Sequence, residues 1–423
     1  MKKTKKIRII LFTSWGLSMP TLIFGQTLSL DSCQYYAIQN FPVQKSFALI
    51  SDIKTLDLSN LNKSLKPIVH LGGQATYQSE VTRLPINLPG TTVNPISRDQ
   101  YKIFTDISQS MIPLFHKREK EELIAEETLY SQKKTALTIY KLRESVIHTY
   151  FGLLLLEGQI NQIKPVLKDI QTGIEKLKIA ESAGTSSIAQ ILILEAEKLK
   201  IEQKQASLIH QHDGLTQVLS HLIHRPLTSE QKFTFPDERP ILEELKREEL
   251  SLFASQKLLI QHQAVIAKER LRPVLQIFGQ AGYGRPGLNM LNNAFDFYYL
   301  GGIRLQLNLS NSYTYKNDLE KLSIQSQLIE IEKEQFELNV KLALDKQRAE
   351  IKKYQALMNQ SYDIIKLRKK IKELAKSQLE NGIISALDYL SYVEAEDQAI
   401  QDQVFYKIQL AMAAEYYQYI LGN

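Results

Sequence analysis

Four histidines, His210, His212, His221 and His224, crowd one stretch of the chain, and clustered imidazoles are apt to hold a transition-metal ion. Their spacing argues against a closed site. His221 and His224 are three residues apart and share a helical face, whereas His210 lies three turns away, at about 16 Å. Two imidazoles without a third ligand make a weak metal centre, and a surface cluster is the plainer reading, so no metal site is assigned. The lone cysteine, Cys33, permits no intramolecular disulfide, which leaves packing to hold the fold, with the thiol itself a helix-packing group. There is no Gly-rich phosphate loop, no nucleophile elbow and no carboxylate pair in a strand-loop setting. Neither an enzyme nor a cofactor is expected.

The N-terminus carries Lys2, Lys3, Lys5, Lys6 and Arg8, then an apolar stretch from Ile9 to Phe24 and the small Gly25. This is the pattern of a secretory signal peptide over residues 1–25, cleaved near Gly25. A retained anchor fits less well, because Ser14, Gly16, Ser18 and Pro20 break a run already short for a span. The formal charge of +6 shrinks once those five positive charges are removed, leaving 47 basic against 46 acidic residues. Nothing in that balance points to nucleic acid. No later apolar run is long enough for a membrane-spanning helix, so the mature chain is either a soluble periplasmic protein or a β-barrel protein.

The chain is also duplicated. LKPIVHLGGQATYQ, residues 65–78, and LRPVLQIFGQAGYG, residues 271–284, stand 206 positions apart and are identical at six of fourteen positions. After Pro67, the residues Val69, Leu71, Gly73, Ala75 and Tyr77 alternate with His70, Gly72, Gln74, Thr76 and Gln78. The second copy repeats the alternation with Leu275, Ile277, Gly279, Ala281 and Tyr283. Period-two patterning predicts strands at about 67–78 and 273–284, each with an apolar and a largely polar face. Partner strands are predicted at about 101–112 and 297–310, after loops rich in Pro, Gly and Asn. Strands of about ten residues with aromatic ends match a transmembrane barrel, although ordinary half-buried hairpins fit the strand pattern equally.

Helices fill the rest. Ile139, Val146, Leu153, Ile160, Leu167 and Ile174 recur every seven residues, with Leu142, Thr149, Leu156, Ile163, Ile170 and Leu177 three later. This coiled-coil seam predicts a helix of roughly 100 Å from near His116 to about Ala180, kinked at Pro165. A break at Ser182 to Ser187 leads into a second helix, closing a hairpin over about 116–222. The second half repeats the plan over about 313–421, through Leu322, Ile329, Phe336 and Ala343, then Leu357, Ile364 and Ile371 with Leu367 and Leu374, and a break at Glu380 to Gly382. Shorter helices are predicted over Leu30 to Leu65 and Pro240 to Leu271. The organisation is a first repeat over 26–224, a linker over 225–239 and a second repeat over 240–423.

Four strands cannot close a membrane barrel, and an open edge in hydrocarbon leaves backbone groups unpaired at several kcal/mol apiece. Oligomerisation must follow. Three subunits would give a twelve-stranded barrel wide enough for water, while counting alone admits two or four. The duplicated plan, the signal peptide, the opening LSLDSCQYYAIQNFP, the Pro-led strands and the Gly-containing breaks before Leu-rich helices resemble the TolC-like outer-membrane efflux protein family. The resemblance covers essentially the whole mature chain. It implies a mostly α fold with a membrane β-barrel part, a homotrimer in outer-membrane lipid, and a periplasmic α-helical tunnel. It further implies docking on a periplasmic adaptor and an inner-membrane pump, in a passive duct of a tripartite efflux or type I secretion system.

The resemblance also nominates positions. The hairpin tips of such proteins contact the adaptor, which implies that role for Ala183, Gly184 and Thr185 and for Asn381, Gly382 and Ile383. No valine precedes either glycine, a departure from the family pattern. Two aspartates three residues apart often follow the second tip and constrict the tunnel. Counting from Gly382 places Asp388 at the first of these and Ser391 at the second, so only Asp388 is carried over as a periplasmic gate. The rival reading from another class is a soluble periplasmic coiled-coil adaptor or scaffold.

Overall fold

A computed structural model describes residues 27–82, 95–111, 116–237 and 244–422. The signal-peptide reading therefore lies outside the described residues. Helix α1 (Leu30–Asn40) starts at Ser29, whose hydroxyl accepts the Ser32 N–H. It buries Leu30, Cys33 and Ala37, and burial pushes the Cys33 thiol up to about 12, consistent with a packing role. The single helix expected over Leu30 to Leu65 is interrupted at Phe41, which precedes Pro42 and is extended. Clash with the proline ring disfavours a helical residue there. A short 3₁₀ turn (Pro42–Gln44) then leads into α2 (Lys45–Lys63).

Strands β1 (Ile68–Tyr77) and β2 (Asp99–Ser110) follow, then the long α3 (Lys117–Ser182) and α4 (Ile188–Ile223). The second half repeats the order with α5 (Glu248–Glu269), β3 (Val274–Arg285), β4 (Asp296–Gln306), α6 (Asn311–Glu380) and α7 (Ala386–Leu421). β4 ends short of the predicted Ser310, because the chain turns at Asn308 to enter α6: the Asn308 side chain accepts the Ser310 N–H. The four strands form one antiparallel sheet in chain order, and the β2–β3 pairing joins the two repeats edge to edge.

The long helices lie side by side in the order α4, α3, α7, α6, with α5 across α3 and α6. α3 has 66 residues and runs through Pro165 without ending. Its predicted seam is buried at Ile139, Val146, Leu153, Leu156, Ile163, Ile170, Ile174 and Leu177. One core surrounds Tyr150 and Phe151, where the Tyr150 hydroxyl donates to the carbonyls of Leu28 and Thr234 and so ties the linker to α3. A second core near the hairpin tips packs Ile170, Ile174 and Leu194 against Tyr389, Leu390 and Val393.

In α6 the seven-residue repeat behaves differently. Ile329 is buried, but Ile364, Leu367, Ile371 and Leu374 are exposed, and α6 meets the core instead through Ser361, Ala375 and Leu379. Over these residues α6 packs against α7 through a different face, and its heptad positions lie on the outer margin of the layer. No described helix is long and apolar enough to cross a membrane.

Candidate functional site

The two hairpin tips are built alike. Each long helix ends in a paired backbone cap: Gly184 and Thr185 donate to the carbonyls of Glu181 and Ala180, and Gly382 and Ile383 to those of Leu379 and Gln378. Both glycines are left-handed, with φ of 75° and 70°, a conformation only glycine adopts without strain. Ala183, Gly184, Thr185, Asn381, Gly382 and Ile383 are all exposed. Apolar side chains crown the tips, with Ile188, Ile383 and Leu387 open to solvent.

Asp388 sits in the first turn of α7. Its carboxylate accepts the backbone N–H and hydroxyl of Ser385, while its own N–H donates to the Ser385 hydroxyl, completing a capping box. Those hydrogen bonds lower its pKa, so the exposed group is a carboxylate at neutral pH. The matching position after the first tip, Gln190, lacks an acid, and Ser187 there makes no side-chain cap. The tips also carry ion pairs. Lys176 of α3 pairs with Glu380 of α6, and deeper in, Lys372 of α6 donates both to Asp169 of α3, at 2.7 Å, and to Glu396 of α7. This three-helix clamp has no counterpart in the sequence reading, since its members lie up to 227 residues apart, 169 to 396.

At the other end of the molecule the sheet gathers most of its apolar side chains on one face, which Asp99, Thr105, Gln109 and Arg285 share. Register places Val69, Leu71, Ala75, Tyr77, Tyr101, Ile103, Ile107, Leu275, Ile277, Tyr283, Phe297, Tyr299, Ile303 and Leu305 on one side. This side is bare: Leu71 is 78 % exposed and Tyr299 85 %. The opposite side carries His70, Gln74, Lys102, Asp106, Gln280 and Arg304. There Phe104 lies over Gly72 and Tyr298 over Gly282, where a Cβ on either glycine would collide with the ring. An apolar surface this continuous is buried by lipid or by another chain. Among the described residues β1 and β4 are both open edges.

The histidines do not converge. His212 is buried, whereas His210, His221 and His224 are exposed, and no three His, Cys, Asp or Glu side chains among the described residues are placed to hold a metal ion.

A duplicated layer of helical hairpins standing on a four-stranded antiparallel sheet is the architecture that the chain presents. No family model and no curated protein matches the chain. Solved structures do. The outer membrane protein VceC of Vibrio cholerae superposes with a TM-score of 0.67 at 14% identity, over 93% of this chain and 96% of that one. The CmeC outer membrane channel of Campylobacter jejuni gives 0.67 at 12%, over 93% and 85%. The open state of the MtrE outer membrane channel of Neisseria gonorrhoeae gives 0.66 at 15%, over 93% and 89%. The fold is that of the TolC-like outer-membrane efflux proteins, reached with few identical residues.

Proposed function

We propose that three copies of this chain form a passive exit duct in an outer membrane, with the helical layer as its periplasmic tunnel and an adaptor and inner-membrane pump as partners. The observation that carries this reading is the sheet: one face is mostly apolar and exposed, the other carries most of the polar groups, and both edges are open among the described residues. Closure by further copies would pair β1 with β4 of a neighbour and bury the bare apolar stripes at the layer's two margins. Those stripes are Ile364, Leu367, Ile371 and Leu374 on α6, and Ile188, Leu192 and Leu199 on α4. A soluble scaffold would leave all of this surface in water. Fractionation separates the two readings: a detergent-requiring, heat-modifiable trimer in outer membranes supports the duct, and a soluble monomer released by osmotic shock overturns it. The duct would export small molecules, metal ions or polypeptide, as its pump dictates.

In the same reading the tips at Ala183, Gly184 and Thr185 and at Asn381, Gly382 and Ile383 receive the adaptor, and three Asp388 carboxylates ring the tunnel mouth as a cation-holding gate. Asp388→Asn tests the gate cleanly, because asparagine can still accept the Ser385 N–H and keep the helix cap. The expected outcome is an unchanged trimer with reduced cation block in single-channel recordings. Identical conductance and block would remove Asp388 from the gate.

A further inference from the structure

His212 is the one histidine of the cluster that is buried, at 7 % exposure, and it lines a cavity of about 590 Å³ between α3, α4 and the linker. The cavity lies roughly 40 Å from the tips, about 28 residues along α4 from Gly184. Its Nε2 makes no hydrogen bond. The nearest charged groups are Glu157 Oε1, 3.8 Å from Nε2, and Asp213 Oδ1, 3.9 Å from Nδ1, both too far for a hydrogen bond. The tautomer protonated on Nδ1 leaves the Nε2 lone pair beside the Glu157 carboxylate. Asn161, one turn before Pro165, lines the same cavity, and proline has no N–H to give its carbonyl. Glu230 and Lys232 complete the charged wall, and Ile160, Ile209 and Phe233 supply the apolar one.

We propose that this cavity binds a small organic ammonium ion, an alkylamine or diamine, whose N–H donors meet His212 Nε2 and the Glu157 carboxylate. An ammonium offers three donors and no acceptor, which suits an imidazole nitrogen and a carboxylate side by side. The wall carries three carboxylates, Glu157, Asp213 and Glu230, against the single ammonium of Lys232, which favours a cation over an anion. Burial pushes the Glu157 carboxyl up, against the opposing Phe233 amide and Lys232 charge, and a bound cation would relieve that cost. The apolar wall accommodates the carbon stem.

Titration calorimetry of the full-length protein in detergent with 1,4-diaminobutane at pH 8, where imidazole is ordinarily neutral and the amine charged, tests this. The expected result is one saturable site per chain, weakened roughly tenfold or more by His212→Phe and by Glu157→Gln, and unchanged by His210→Gln. Helical content and melting of each variant show whether it folds, and Glu157→Gln decides the matter if His212→Phe does not. Absence of saturable binding, affinity in both cavity variants equal to that of the parent, or binding of zinc without the diamine overturns the proposal.

Discussion

Ile303→Arg is expected to abolish membrane assembly, while Gln306→Arg, three residues along the same strand, is expected to be tolerated. Both positions are exposed on β4, and both side chains are long enough to reach their surroundings. What separates them is the face. Ile303 pairs with Ile277 in the apolar sheet surface, whereas Gln306 shares the side of Arg304 and pairs with Val274 at the strand's end. An arginine facing hydrocarbon near the midplane of a barrel costs about 2–4 kcal/mol, and three copies multiply the penalty. Native Arg304 already shows that a guanidinium is accepted on the polar side, where it lies 4.5 Å from the Phe278 ring. The measurement is the fraction of chain recovered as heat-modifiable trimer from outer membranes. Equal recovery of the two variants would mean that the apolar face does not meet lipid.

Lys372→Met should loosen the tip end of the helical layer. Lys372 is 18 % exposed, and it neutralises both Asp169 and Glu396, the latter 9 % exposed. Removing the cation leaves two carboxylates facing each other across three helices, one of them almost dry. Loss of one partner of a buried ion pair costs about 3 kcal/mol or more. Burial works against the Lys372 charge, but the hydrogen bonds to Asp169 and Glu396 outweigh it and raise its pKa. A raised lysine pKa contributes stability that is fully present below the unfolded value, about 10.4, and is lost as pH rises through the still higher folded one. The deficit of Lys372→Met should therefore be constant from about pH 6 to pH 9. Urea melting and the rate of proteolysis near Gly382 report it, and adding Glu396→Gln to the variant should recover part of the loss. A Lys372→Met protein as resistant as the parent would show that the clamp carries no stability.

Much of this architecture was legible in the residues. Period-two alternation after Pro67 and Pro273 marked strands whose faces the sheet then separates, because side chains on a strand have no third direction to take. The heptads of α3 marked a seam that is buried in the fold, and glycine after each long helix marked a tip, since only glycine takes the left-handed turn cheaply. The same heptad rule failed in the lower part of α6. A repeat read along the sequence says that apolar residues recur, but not which neighbour they face once the helix has turned away from it. The histidines, read as a surface cluster, are exposed at His210, His221 and His224, and His212 alone of the four is turned inward.

The sequence by itself determined the periodic features, namely the strands, the long helices, their breaks and the duplication, because each follows from local geometry repeated along the chain. Only the tertiary structure decided which residues meet across it. It brought Asp169, Lys372 and Glu396 together, set His212 against Glu157, and spent the Asp388 carboxylate on a helix cap. These pairings depend on how α3, α4, α6 and α7 align side by side. Packing of whole faces fixes that alignment, and no local spacing encodes it.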